Sequence, residues 1–90
     1  MPGQVLDSYA GDYALAPGVV IHIERQGDQL LGVSPTGQRT ALDPETNTEF
    51  VVHDTTDVLY FTSDEHGQVK GAVLNNGGQE VSAARIRKQP

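Results

Sequence analysis

Residues Leu6 to Val33 read LDSYAGDYALAPGVVIHIERQGDQLLGV, and the rhythm of this stretch decides the fold. Tyr9-Ala10-Gly11-Asp12-Tyr13 leads into a turn at Ala16-Pro17-Gly18. An apolar run from Val19 to Arg25 follows, then a turn at Gln26-Gly27-Asp28 and a return through Leu30 to Val33. Side chains alternate along a strand, so Val19, Ile21 and Ile23 share one face while Val20, His22 and Glu24 take the other. The unit is strand, turn, strand, and the rest of the chain repeats it.

Working outward, the pattern predicts strands at Gly11–Leu15, Val19–Arg25, Gln29–Ser34, Arg39–Leu42, Glu49–His53, Val58–Thr62, Gln68–Asn75 and Glu80–Ile86. Turn chemistry separates them. Ser34-Pro35-Thr36-Gly37 puts proline where φ is preset and glycine where φ turns positive. Asp64-Glu65-His66-Gly67 suits a type I turn followed by a left-handed glycine. Asn75-Asn76-Gly77-Gly78 is the strongest hairpin signal, since Asn-Gly accepts the paired positive φ angles of a type I′ turn. Short strands with short links make an all-β meander, either an antiparallel barrel or a sandwich. Before the first strand, Gln4–Tyr9 can form a helical turn with Val5, Leu6 and Tyr9 on one side, and a turn so short must pack as a plug or lid. Ten glycines and five prolines leave no window for a longer helix.

Ninety residues make a single domain, 1–90. There is no cysteine, so neither a disulfide framework nor a thiolate metal site is available. A net charge of −6 argues against general nucleic-acid binding, which draws its affinity from Lys and Arg on phosphates. Every acid but Glu80 lies in residues 1–65, whereas Lys70, Arg85, Arg87 and Lys88 cluster at the end. A basic last strand beside acidic early ones suits a sheet that closes on itself. No run reaches the ~18 apolar residues of a membrane span, and Met1-Pro2-Gly3 does not open a signal peptide. The start reads as a cut in a longer parent chain.

Tyr9-x-Gly11-x-Tyr13, the Gly27-Asp28-Gln29-Leu30 turn, Leu42-Asp43-Pro44 before Phe50, Leu59-x-Phe61-x-x-Asp64-x-x-Gly67-x-Val69 and the closing Val81-x-Ala83-x-Arg85-Ile86 occur in a set order. That order resembles the small lipocalin-like C-terminal domain appended to serine beta-lactamase-related hydrolases of the penicillin-binding-protein type, over residues 4–87. The resemblance implies an eight-stranded antiparallel up-and-down barrel with a short N-terminal helix. It implies a bacterial, periplasmic or secreted setting. It also implies a non-catalytic accessory role: packing on the parent's catalytic domain, self-association, or flanking an active site. The nucleophilic Ser-x-x-Lys of such hydrolases belongs to the preceding domain. Here Ser8, Ser34, Ser63 and Ser82 are followed three residues on by Gly11, Gly37, His66 and Arg85. The alternative function is a carrier that holds a small, partly apolar ligand in the barrel.

Three constellations are candidate sites. His22, His53 and His66 sit on separate segments without metal-ligand spacing, so no metal or other cofactor is expected. Ser34, His53 and Asp54 or Asp57 could be written as a hydrolytic triad, but neighbours such as His53 and Asp54 on a strand point to opposite faces. Tyr9, Tyr13, Phe50, Tyr60 and Phe61 could line a cavity or pack a core, with His22 or Arg39 as polar contacts to a ligand. His22 is singled out because it interrupts an aliphatic strand. Val20, Val58 and Tyr60 are the residues expected to meet a partner. Gly11 and Gly32 are read as marking a bend or a close approach of another segment, Gly11 leaving room for a neighbouring aromatic ring.

Overall fold

The alternation of Val19, Ile21 and Ile23 against Val20, His22 and Glu24 is realised as one stave of a closed barrel. The computed structural model describes residues 3–16 and 18–86. Helix α1 (Gly3–Tyr9) precedes eight strands: β1 (Gly11–Ala16), β2 (Val19–Gln26), β3 (Gln29–Val33), β4 (Arg39–Pro44), β5 (Glu49–Val52), β6 (Val58–Ser63), β7 (Val69–Asn76) and β8 (Gln79–Ile86). Each strand pairs antiparallel with the next, and β8 returns to β1 through Asp12↔Ile86, Tyr13↔Arg85 and Ala14↔Ala84. The barrel is therefore closed, as an up-and-down meander with no exposed edge. Of the turns read from sequence, Pro17 lies outside the described residues, as do the basic residues Arg87 and Lys88.

The strand bounds fall within two residues of those expected from turn chemistry. Strand β5 stops at Val52, so His53 and Asp54 belong to a turn, where Asp54 adopts φ 65°. The expectation that these neighbours stand on opposite faces of a strand is thereby corrected.

Inward-facing positions on successive strands share one parity. Tyr13, Ile23, Leu30, Leu42, Phe50, Leu59, Phe61, Ala72 and Ala83 are all buried in the core. On β6 the opposite face carries Val58 and Tyr60, both half-buried, which accounts for a strand that is apolar on both sides.

Helix α1 closes one end. Seven residues cannot hold a helix by themselves, so tertiary packing holds it. Its Leu6 and Tyr9 are buried. The Tyr9 ring stacks on Phe61 at 4.2 Å between centroids, edge-on to Phe50 at 5.9 Å, and Phe50 and Phe61 meet at 5.7 Å. The Tyr9 hydroxyl donates to the Asn47 carbonyl, and the Tyr13 hydroxyl donates to the Tyr9 carbonyl at 2.7 Å. This aromatic cluster fills the helix end of the barrel. Arg85, inward-facing on β8, donates to the carbonyls of Ser8 at 3.0 Å and Ala10 at 2.7 Å, where the helix ends with unpaired acceptors. Gly11 is indeed a point of close approach, but a guanidinium rather than an aromatic ring lies against it.

Candidate functional site

The end opposite α1 is built differently. There the inward positions of the upper strand halves carry Leu15, Val19, Ile21, Ile23, Thr40, Leu42, Val52, Leu59 and Leu74, none of them aromatic. Branched aliphatic side chains at these places reach less far than the rings below, and Gly32 contributes no side chain. A Cβ on Gly32 would meet its nearest neighbour, Ile23 Cδ1, only at 3.9 Å. The result is a cup of about 410 Å³, open between the loops 34–38 and 53–57. The aromatic cluster lies beneath it.

The rim is mixed. Val19 and Val81, both of inward parity, remain 38 % and 41 % exposed and leave the lip apolar. Ser34, Gln38, Thr40 and Asp57 supply the polar atoms lining the cup. Ser34 Oγ is already engaged, 2.9 Å from Thr36 Oγ1 and accepting from the Gln38 amide at 3.1 Å. Asp57 is half-buried and uses its backbone, accepting from Val52 N and donating to Thr55 Oγ1, and its carboxylate has no partner among the described residues. Among the described residues no lysine or arginine lines the cup.

The residues singled out from sequence fall elsewhere. Phe50 and Phe61 belong to the packed floor. His22 faces outward, its Nδ1 2.6 Å from Asp12 and its Nε2 3.7 Å from Glu24. Arg39 faces outward too and holds Glu24 at 2.8 Å. Tyr60 stands on the outer wall and donates to Glu80 at 3.0 Å, a bond to the neutral phenol that raises its pKa. None of the five lines the cup. Parity was the available signal: Thr40 and Leu42 fix the inward face of β4 and exclude Arg39, as Ile21 and Ile23 exclude His22 on β2. Asp57, read from sequence only as a triad member, shares the inward parity of Leu59 and Phe61.

The chain matches no protein-family model, and no curated protein matches it. The chemistry of the site therefore rests on its own geometry.

The hydrolytic arrangement is not assembled. Ser34 is engaged within its own turn, while His53 Nδ1 pairs with Asp43 at 2.8 Å and its Nε2 stands 3.6 Å from Asp54. The hydrogen bond that His53 donates to Asp43, together with the nearby carboxylates of Asp54 and Asp43, raises the His53 pKa. Among the described residues no three His, Cys, Asp or Glu side chains are grouped to hold a metal ion. A second, polar groove of about 630 Å³ runs beside the end of α1 and includes Ser8, Asp12, His22, Gln68 and Arg85. Four of its polar side chains are tied to one another or to backbone: Ser8 Oγ donates to Val5 O at 2.6 Å, His22 pairs with Asp12, and Arg85 caps the helix.

Proposed function

We infer that this barrel binds a small, largely apolar ligand in the cup and carries or presents it without chemical change. The observation behind this reading is the unequal filling of the interior. Aromatic rings pack the half beneath α1, and the other half stays open behind aliphatic walls. An eight-stranded barrel either fills its inside with side chains or holds one small ligand, and this one divides the two roles along its axis. The cup volume of about 410 Å³ falls within the ~300–1,000 Å³ of ordinary small-molecule sites. Each apolar Å² withdrawn from water there contributes about 25 cal/mol, which favours a hydrocarbon occupant.

The test is methyl-resolved NMR during titration with 1-octanol. Resonances of Leu15, Ile21 and Leu74 should shift while those of Leu6, beneath the floor, stay still. Gly32→Leu, which sends a side chain into the cup from a backbone that accepts it, should abolish the shifts in a folded protein. Cup methyls that ignore 1-octanol and other hydrocarbon probes would overturn the reading.

A second reading, the accessory domain, is favoured by a separate observation on the outer wall. Val20 is 36 % exposed and sits opposite Ala14, which in turn pairs with Ala84, and Ile86 lies one position pair away at 44 % exposure. This shallow apolar strip on β2, β1 and β8 suits a flat partner surface, a parent catalytic domain or a second copy. Val58 and Tyr60, the other residues expected to meet a partner, are half-buried on a different part of the wall. Sedimentation of the chain at high concentration, with and without Val20→Lys, tests the self-association arm; a monomer in both cases removes it.

A further inference from the structure

We propose that the cup selects amphiphiles with a cationic head, primary alkylamines before alcohols and alcohols before carboxylates. This inference rests on the ligand-binding reading and adds the head-group chemistry to it. The stretch of β2 from Val19 to Ile23 lines the wall and covers roughly 13 Å at ~3.3 Å per residue, room for a chain of about eight carbons. Such a chain, laid against Ile23, Leu42 and Leu59 at the base, brings its head to the level of the mouth.

Among the described residues the mouth offers that head one charged group. Asp57 immediately precedes β6, lines the cup and is half-buried, and its carboxylate has no partner among the described residues. The side-chain carboxamide oxygen of Gln38 and the Thr40 hydroxyl, which also line the cup, have no hydrogen-bond partner among the described residues and can accept from an ammonium N–H.

Among the described residues, the cations at this end of the barrel, Arg39 and His53, are turned away. Arg39 is held by Glu24 on the outer wall, and His53 is held by Asp43 with Asp54 beside it. A carboxylate head would thus meet Asp57 without a compensating cation, and like charges at close range disfavour its binding. An ammonium would complete an ion pair that the fold leaves open. The net charge of −6 adds a weaker, salt-screened attraction of the same sign.

The experiment titrates the full chain with octylammonium, 1-octanol and octanoate at pH 7, read on the cup methyls. It is repeated with Asp57→Asn and, as a control for general charge, with Asp54→Asn. Asp54 is an exposed turn residue whose positive φ asparagine also accepts. Octylammonium should bind about fivefold tighter than 1-octanol, the ratio a half-exposed ion pair supplies, and octanoate should bind weakest. Asp57→Asn should bring octylammonium level with 1-octanol, and Asp54→Asn should leave the preference intact. Equal affinities for the amine and the alcohol, tighter octanoate, or a preference that survives Asp57→Asn would overturn the head-group inference while ligand binding itself stands. Silence of the cup methyls toward all three probes would overturn both.

Discussion

The guanidinium of Arg85 occupies the space that a side chain on Gly11 would need. A Cβ at Gly11 would stand 3.3 Å from both Nε and Nη2 of Arg85, and the glycine itself has φ 149°. The two residues are distant in sequence, and their apposition fixes the last strand to the junction between α1 and β1. From there Arg85 donates to Ser8 and Ala10 and lies 5.9 Å from the centroid of the Tyr13 ring.

Removing this apposition should loosen the closure. Arg85→Met keeps the apolar stem and strands the carbonyls of Ser8 and Ala10; hydrogen bonds to a charged group are worth about 1.5–3 kcal/mol, and a loss of that order is expected in urea unfolding. Arg85→Lys should recover little of it, because an ammonium cannot span acceptors that a planar fork reaches together. Gly11→Ala combines a disfavoured φ with crowding of the guanidinium and should cost about 1–3 kcal/mol.

Two strand glycines should respond oppositely to the same change. A Cβ on Gly71 would fall 2.6 Å from the Ala83 carbonyl oxygen across the β7–β8 ladder, a clash that only backbone movement relieves. Gly71→Ala should therefore destabilise by about 2 kcal/mol or more, in the range of overpacked cores. Gly32→Ala meets nothing closer than 3.9 Å and should be neutral or stabilising by up to ~1 kcal/mol, since it restricts the unfolded chain. Thermal melts of the pair decide this.

Alkaline pH should open the barrel from its floor. Burial pushes the Tyr13 hydroxyl up to about 12 from 10.0, and burial raises Tyr9 as well. For a folded pKa above the unfolded one, the stability contribution is complete below pH 10.0 and is lost as pH climbs toward about 12. Urea midpoints should fall across that window, in step with the tyrosinate absorbance of the unfolding fraction. In Tyr13→Phe the fall should be shallower. A flat profile to pH 12 would show that the ring is not sequestered.

His53 should titrate late for a surface histidine. Its raised pKa comes first from the hydrogen bond to Asp43, so the pairing with Asp43 is complete below pH 6.5 and fades as pH rises through the folded value. Two-dimensional NMR of the imidazole should show a displaced midpoint that Asp43→Asn returns toward 6.5. Because the pair is exposed, global stability should barely change.

Most of the fold was legible because each turn announces itself chemically: Gly27-Asp28 links β2 to β3, and Gly77-Gly78 links β7 to β8. In the latter turn the positive φ angles fall on the two glycines and not on the Asn-Gly pair expected, since Asn75 and Asn76 remain in the β7 ladder. The plugging role of α1 was legible too, since Leu6 and Tyr9 share a side of a helix too short to stand alone. The site was not. Phe50 and Leu42 both obey inward parity, and parity does not say which end of the barrel a residue reaches. That depends on stagger between strands, such as Phe50↔Leu59 and Leu42↔Val52, which pairs aromatic with aliphatic positions at some rungs and not others. His22 attracted attention as a polar break in an aliphatic run, yet a strand with one wet face needs such residues there. Asp57 was hidden in the polar run Asp54-Thr55-Thr56-Asp57, whose composition marks a turn and not a lining residue.

Helix α1 and the last residues of β8 sit together at the plugged end, and the cup opens at the other. Anything tethered through Gly3 or through Ile86 would therefore hang behind the barrel and leave its mouth unobstructed. On a sensor chip, the protein coupled by either route would face the flowing analyte with its opening outward.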